Sequence, residues 1–316
     1  SVVIVEPLGV PNDMVEKSLK QAFSGKEIAI TWKSLSELSA EEKASAEAII
    51  SVKSSLSKEV LSEFSALKVI GVAFTGYGTV DLDYCRENKV QVFNVPAYST
   101  DSVAELVIGL TISILRDIPK GNSLIRSGGW NLGYAGSDLA GKVVGIVGTG
   151  CIGIRTAELF KAFRCKLVGW SRTQREEFIN LGGSYVDSLE ALFEVADIVS
   201  IHVPANAHTK GLISKDILAK LRPTSCLINC ARGAIIDQAA LTEALKENKF
   251  RAGIDVFEVE PTPAGEPLLD VSDSHIFTPH IAYKTNEALL RRAEVTVANL
   301  RNFVDGKEEN RVDNIQ

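Results

Sequence analysis

Val143-Val144-Gly145-Ile146-Val147-Gly148-Thr149-Gly150-Cys151-Ile152-Gly153-Ile154-Arg155-Thr156-Ala157-Glu158-Leu159-Phe160, then Lys166-Leu167-Val168-Gly169-Trp170-Ser171-Arg172, is the stretch that decides the fold. The apolar run Val143 to Val147 suits a buried strand, and Lys166 to Trp170 suits a second. Between them, Ile154, Ala157, Leu159, Phe160 and Phe163 fall at helical spacing. Strand, turn and helix meet at Gly148-x-Gly150-x-x-Gly153. Gly148 permits a sharp turn, Gly150 lets a pyrophosphate approach backbone N–H groups, and Gly153 lets the helix pack on the strand. The helix dipole and its free N–H groups favour an anion there. A glycine turn alone is common; flanked by both strands and the helix, it predicts a dinucleotide site over a structural turn.

At the end of the second strand an NAD site usually carries Asp or Glu, which accepts from a ribose 2′-OH. Here the chain reads Trp170-Ser171-Arg172-Thr173, with no carboxylate. Arg172 and the flanking hydroxyls suit a 2′-phosphate instead. The expectation is NADP(H) by preference. The alternative is that Arg172 stacks on adenine and NAD(H) fits as well.

A chain of 316 residues exceeds one ordinary core, so two domains are expected. Its 45% hydrophobic and 23% charged residues are those of a soluble globular protein, and a net charge of -6 argues against a nucleic-acid surface. Cys85, Cys151, Cys165, Cys226 and Cys230 form no CxxC pair and no metal spacing, which suits a reducing cytoplasm. Ser1 to Pro7 reads as a strand rather than a signal peptide, and no window is apolar enough to span a bilayer. The expectation is a cytoplasmic protein with no membrane or nucleic-acid partner.

Before Pro96, apolar runs at Val2 to Val5, Ile28 to Trp32, Ala48 to Val52, Val69 to Phe74 and Val90 to Asn94 alternate with helical segments near 12–23 and 58–64. That alternation predicts a parallel sheet with helices on its faces. The Val69 run ends in Thr75-Gly76-Tyr77-Gly78, where bare N–H groups at the sheet's carboxyl edge suit a small anion; a plain turn looks the same. Asp101 to Arg116 reads as a long apolar helix, with Ser99, Thr100 or Asp101 as its cap. Ser127-Gly128-Gly129-Trp130-Asn131 is either an arm that packs on a second subunit or a surface loop.

Past Trp170 four more apolar runs end in polar residues. Asp197 to Val203 carries His202 and ends at Pro204; Cys226 to Cys230 ends at Ala231-Arg232-Gly233; Arg251 to Val256 contains Asp255; His275 to Phe277 ends at Thr278-Pro279-His280. In a doubly wound sheet these ends gather on one edge beside the glycine turn, so Arg232 and His280 should lie near each other. Tyr283 to Asp305 is helical in pattern and returns the chain to the first domain. The expected organisation is α/β with two doubly wound parallel sheets: a flavodoxin-like substrate domain of residues 1–98 and 285–316, and an inserted Rossmann domain of residues 99–284.

Reducing a 2-keto acid needs, besides hydride, a cation for the carboxylate and a proton donor for the developing alkoxide. Arg232 offers a permanently charged planar fork. His280 is the one histidine of four that follows a strand-end proline at the expected sheet edge, and imidazole titrates where reversible proton transfer needs it. Glu260 suits the histidine's second nitrogen. Taken singly, these also read as a surface charge, a buried histidine and a loop carboxylate. His202 reads as buried, or as lying behind the cofactor. Thr75, Tyr77, Tyr98 and Tyr283 are candidates for the substrate wall or for packing. No metal-ligand or Ser-His-Asp arrangement is present.

Taken together, Gly148-x-Gly150-x-x-Gly153, Asn229-Cys230-Ala231-Arg232-Gly233, Asp255-Val256-Phe257-x-x-Glu260-Pro261 and Thr278-Pro279-His280-Ile281-Ala282 resemble the D-isomer-specific 2-hydroxyacid dehydrogenase family, in the style of its glyoxylate and hydroxypyruvate reductases. Asn94-Val95-Pro96 and Ser102-Val103-Ala104-Glu105 extend the resemblance over nearly the whole chain. The resemblance implies a catalytic set of Arg232, Glu260 and His280, with Thr75 and Gly76 joining Arg232 on the substrate carboxylate. It implies a nicotinamide cofactor held by Gly148, Gly150, Cys151, Ile152, Gly153, Ser171, Arg172, Thr173, His202, Pro204, Thr209, Cys230, Ala231, Asp255, His280 and Ala282, with Asp255 on the carboxamide. It also implies a homodimer formed through the Rossmann domain and the Gly129-Trp130 arm. Glu260 stands where the family's formate dehydrogenases carry Gln, so formate oxidation is not expected. Ending at Gln316, the chain is expected to lack the regulatory domain of longer phosphoglycerate dehydrogenases. The implied activity is NAD(P)H-dependent reduction of a small 2-keto acid to a D-2-hydroxy acid, with His280 as general acid. The alternatives are a dinucleotide-sensing, corepressor-like binding protein and a phosphite-oxidising enzyme.

Overall fold

Short buried strands alternating with helices build two parallel sheets in a computed structural model, which describes residues 1–23 and 27–314. The expected outer bound of the first domain, Gln316, lies outside the described residues. The chain divides into two units, Ser1–Ser99 with Lys284–Gln316, and Thr100–Tyr283.

Unit 1 runs β1 (Val2–Ile4), α1 (Asn12–Ala22), β2 (Ile30–Trp32), α2 (Ala40–Ser45), β3 (Ala48–Ser51), α3 (Lys58–Leu61), β4 (Val69–Val72), α4 (Leu82–Glu87) and β5 (Gln91–Phe93). The strand order is β2-β1-β3-β4-β5, parallel throughout, which is the doubly wound flavodoxin-like order. Every residue of β3 and β4 is buried, as in a sheet covered on both faces. At the carboxyl edge, Glu6 accepts the N–H groups of Val52, Lys53 and Ser54 at 2.7, 2.8 and 2.8 Å. Burial pushes this carboxyl up, but the N–H donors outweigh it and leave Glu6 below its usual range.

Unit 2 runs α5 (Thr100–Leu115), α6 (Ile118–Arg126), β6 (Val143–Val147), α7 (Cys151–Ala162), β7 (Lys166–Trp170), α8 (Glu176–Asn180), β8 (Ser184–Tyr185), α9 (Leu189–Val195), β9 (Ile198–Ile201), α10 (Lys215–Leu218), β10 (Cys226–Asn229), α11 (Gln238–Lys246), β11 (Arg251–Ile254) and β12 (Ile276–Phe277). Its strand order is β12-β11-β10-β9-β6-β7-β8. The chain winds outward from β6 to β8, then restarts at β9 on the other side of β6. The switch therefore falls between β6 and β9, where the glycine turn leaves the sheet.

Strand alternation divides the core of this unit. Val144, Ile146, Ile198, Cys226 and Ile228 face Val107, Leu110 and Ile114 of α5 and Ala157 and Phe160 of α7. Val147, Val199, Ile201 and Leu227 face Leu192 and Phe193 of α9 and Leu241 and Leu245 of α11. Each large side chain so buried contributes about 1.5–3 kcal/mol. The sheet thereby becomes a rigid base whose strand ends all point one way.

Unit 1 closes with α12 (Asn286–Val304), capped by Thr285, whose hydroxyl accepts the Ala288 N–H at 3.1 Å. This cap, rather than Tyr283, sets where the helix begins. Beyond it, the Val312 N–H donates to the Val92 carbonyl at 2.8 Å and Asp313 accepts the Val92 N–H at 2.8 Å, covering the β5 edge. Among the described residues no helix is long and apolar enough to cross a membrane.

Two elements differ from the sequence expectation. Five strands, not four, follow β7, because the two-residue β8 carries no apolar run. Helix α6 forms despite Pro119 and Gly121, since a proline in the first turn removes only an N–H that lacks a helical partner anyway.

Gly153 fixes α7 against the turn: an added Cβ would lie 2.0 Å from the Gly148 carbonyl oxygen. At Gly150 an added Cβ meets no protein atom within 4 Å. Gly153→Ala is therefore expected to cost about 3 kcal/mol or more in urea unfolding, and Gly150→Ala less than about 0.5 kcal/mol. Equal losses in the two variants would contradict this packing.

Candidate active site

Gly148 leaves β6 at φ +95. Its N–H donates to the Trp170 carbonyl at 2.8 Å, and an added Cβ would lie 3.0 Å from the His202 carbonyl carbon. The ends of β7 and β9 therefore close on the turn. No side chain caps α7, so the N–H groups of its first turn are left for a ligand. Cys151 is exposed, Ile152 half-buried and Gly153 buried beneath them; at the β7 end Ser171 is half-buried while Arg172 and Thr173 are exposed. Nothing inside the protein requires a glycine at 150, and the space above it is open.

At the end of β9 the His202 N–H donates to the Val147 carbonyl at 2.7 Å, and its Nε2 lies 2.8 Å from Ser200 Oγ. Burial pushes this imidazole down to about 3, so it stays neutral. Thr209 Oγ1 donates to the Pro204 carbonyl at 2.5 Å and accepts the Asn206 N–H at 2.9 Å. Its visible task is to hold the loop that begins at Pro204.

The ends of β10, β11 and β12 meet in one cluster. Asn229 brackets the first of them: its side-chain oxygen accepts the Ala231 N–H at 3.0 Å and its amide donates to the Arg232 carbonyl at 3.0 Å. Arg232 itself is half-buried, and Cys230 beside it is buried with its thiol pushed well up by burial and then by Asp255. Next, the backbone of Gly233 comes so close to the β11 loop that an added Cβ would lie 2.0 Å from the Phe257 carbonyl carbon. The same loop carries Glu260, which accepts the Phe257 N–H at 3.0 Å with one oxygen and holds His280 Nδ1 at 2.5 Å with the other. A carboxylate only accepts, so Nδ1 carries a proton and Nε2 is the nitrogen left for chemistry. Arg232, Glu260 and His280 thus sit on touching loops at one sheet edge, and the Tyr283 ring stands edge-on to the imidazole at 5.5 Å.

Asp255 is 0% exposed, and its carboxylate accepts the Thr278 hydroxyl at 2.6 Å and the N–H groups of Ile281 and Ala282 at 2.9 Å each. It thereby holds the 278–282 turn. Ala282 is likewise buried and contributes an N–H to that hold.

In unit 1, Thr75 and Gly76 are exposed at the carboxyl edge of β4. Asn94 Nδ2 donates to the Thr75 carbonyl at 2.8 Å, Asn299 Nδ2 to the Asn94 carbonyl at 2.7 Å, and Asn310 Nδ2 to the Asn299 side-chain oxygen at 2.9 Å. This amide chain fixes the loop. Tyr98 is buried against Phe74 and belongs to packing. Among the described residues no cluster of ligand-type side chains could hold a metal ion.

No sequence signal points to Tyr185, whose hydroxyl lies 2.7 Å from Thr149 Oγ1 beside the glycine turn, or to Thr278 as the partner of Asp255. Tyr185 lies in the two-residue β8, and a threonine's partner is not written in its neighbours.

The family described as D-isomer specific 2-hydroxyacid dehydrogenase, NAD binding domain, matches residues 108–282. A glyoxylate reductase of Thermofilum pendens is 37% identical over 79% of this chain and 75% of that protein. A D-3-phosphoglycerate dehydrogenase of Bacillus subtilis is 38% identical over 79% of this chain and 48% of that protein, so the chain spans about half the length of this relative. The solved D-lactate dehydrogenase of Aquifex aeolicus, complexed with NAD and lactic acid, superposes with a TM-score of 0.87 at 29% identity, covering 100% of both chains.

The half-buried His202 makes a stability prediction. Its folded-state value of about 3 lies below the ordinary 6.5, so its contribution is complete above pH 6.5 and is lost as pH falls toward 3. Between pH 6 and pH 5, above the carboxylate range, His202→Gln is expected to lower the pH slope of the unfolding free energy by about 1.4 kcal/mol per unit. An unchanged slope in urea titrations would show that His202 is not held neutral.

Proposed function

Since the chain belongs to the D-isomer specific 2-hydroxyacid dehydrogenase family, we propose that it reduces small 2-keto acids to D-2-hydroxy acids with a nicotinamide cofactor, NADPH by preference. The observation that carries this is the Glu260–His280 hydrogen bond of 2.5 Å on a loop that touches the Arg232 loop. A bound nicotinamide supplies the hydride. The chain's own residues do the rest. Arg232 holds the substrate carboxylate with its planar fork. His280 donates the Nε2 proton to the carbonyl oxygen as it becomes a hydroxyl. Glu260 keeps Nδ1–H in place and balances the charge of the imidazolium. In the oxidative direction the same nitrogen takes the proton back.

The preference for NADPH rests on Ser171-Arg172-Thr173, an exposed cation flanked by hydroxyls where an acidic residue would disfavour a 2′-phosphate. A homodimer is supported by Trp130, 89% exposed, with Ile125 and Tyr134 also exposed on the same segment. Five free thiols, four of them buried, support a reducing cytoplasm.

A panel of 2-keto acids assayed with NADPH and NADH tests the activity, and chiral analysis of the product tests its D configuration. No oxidation of either cofactor by any acid would remove the enzymatic reading. His280→Ala is expected to lower kcat by about two to four powers of ten with cofactor binding retained; near wild-type turnover would take His280 out of the reaction. Arg172→Ala is expected to raise KM for NADPH by about tenfold or more and to leave KM for NADH nearly unchanged. A uniform change in both would deny Arg172 a role in reading the 2′-phosphate.

A further inference from the structure

We infer that Tyr185 is a positioning residue for cofactor selectivity, its hydroxyl fixing the Arg172 loop to the glycine turn so that the loop meets a 2′-phosphate at a set distance from the pyrophosphate cradle. The inference deepens, and rests on, the NADP(H) preference proposed above.

The segment 171–174 is tied to one turn at both of its ends. At its start, the Trp170 carbonyl accepts the Gly148 N–H at 2.8 Å. At its end, the Arg175 N–H donates to the Tyr185 hydroxyl at 2.9 Å, and that hydroxyl shares a 2.7 Å hydrogen bond with Thr149 Oγ1. Thr149 is 1% exposed, so this link is shielded from competing water. Ser171, Arg172 and Thr173 lie between the two anchors.

The ring beneath the hydroxyl is itself held. Tyr185 pairs with Gly169 of β7, where an added Cβ would lie 3.3 Å from the tyrosine Cε1. Phe178 packs on it at 5.1 Å between centroids. A planar ring reaching from β8 across β7 has little freedom to move its hydroxyl. The link therefore transmits the position of the glycine turn to the far end of the loop.

This matters for one cofactor and not the other. Pyrophosphate and 2′-phosphate are separated by a ribose of fixed size, so a site that holds both needs its two anion-binding parts in register. A cofactor without the 2′-phosphate makes no demand on the second part. Removing the tyrosine hydroxyl should loosen the loop's far anchor while leaving the pyrophosphate cradle untouched.

The test is Tyr185→Phe, which keeps the ring on Phe178, measured beside Thr149→Val and the double variant. Loss of the hydroxyl, with its shielded bond to Thr149 and its bond from the Arg175 N–H, predicts a rise of about three- to tenfold in KM for NADPH, with KM for NADH within about twofold. Inhibition constants should follow: adenosine 2′,5′-bisphosphate weakens by the same factor, and 5′-AMP does not. The double variant should be no worse than Tyr185→Phe, because both act through one link. KM values that rise equally for both cofactors would reduce Tyr185 to a structural residue, and KM values that do not move would leave it no role; either result overturns the inference while the NADPH preference stands. A wild-type enzyme that prefers NADH would overturn the preference and this inference together.

Discussion

The site depends on a carboxylate shut away from water. A buried, unpartnered Asp255 would cost several kcal/mol, and the cost is offset only because the 278–282 turn brings it a hydroxyl and two N–H groups. The backbone joins in, with the His280 N–H donating to the Asp255 carbonyl at 2.8 Å. Bonds on either side of His280 hold it at φ +52, a conformation a non-glycine residue rarely keeps unaided. Asp255 thus fixes the backbone of the proposed proton donor, and Glu260 fixes its ring.

Environment sorts the histidines into different roles. His202 meets a hydroxyl and apolar surroundings and stays neutral. His275 is pushed down by burial, partly countered by the Leu245 carbonyl, and its other nitrogen takes the Ala252 N–H at 3.3 Å. Among the described residues His280 alone has a carboxylate at a ring nitrogen, which leaves Nε2 for the proposed proton transfer. Sequence position placed both His202 and His280 at strand ends; only the partner each meets after folding separates them.

What the chain disclosed of its own structure follows from which forces are local. The glycine turn was legible because each glycine answers a steric demand within a few residues, as the 2.0 Å approach at Gly153 shows. The parallel sheets were legible because strands covered on both faces must be continuously apolar. That Arg232 and His280 follow strands ending at one sheet edge was legible from strand direction, whereas Glu260 was read as the histidine's partner from its acceptor chemistry. Helix α6 and β8 were not legible, since a proline in a first turn and a two-residue strand leave weak patterns. The partners of Asp255 were not legible, because its motif reveals the carboxylate and not the donors that fold around it. Tyr185 was silent for a related reason: its partners, Thr149 and Arg175, are brought to it by β7 and α7 rather than by the chain beside it.

A crystal structure of the protein with NADP+ and oxamate, a pyruvate isostere that accepts no hydride, tests the central claim most directly. The account predicts His280 Nε2 within about 2.6–3.2 Å of the oxygen in the carbonyl position, with the Arg232 guanidinium on the oxamate carboxylate and the Glu260–Nδ1 bond intact. Oxamate bound beyond the reach of His280, or an imidazole turned away from Glu260 to meet it, would contradict the account.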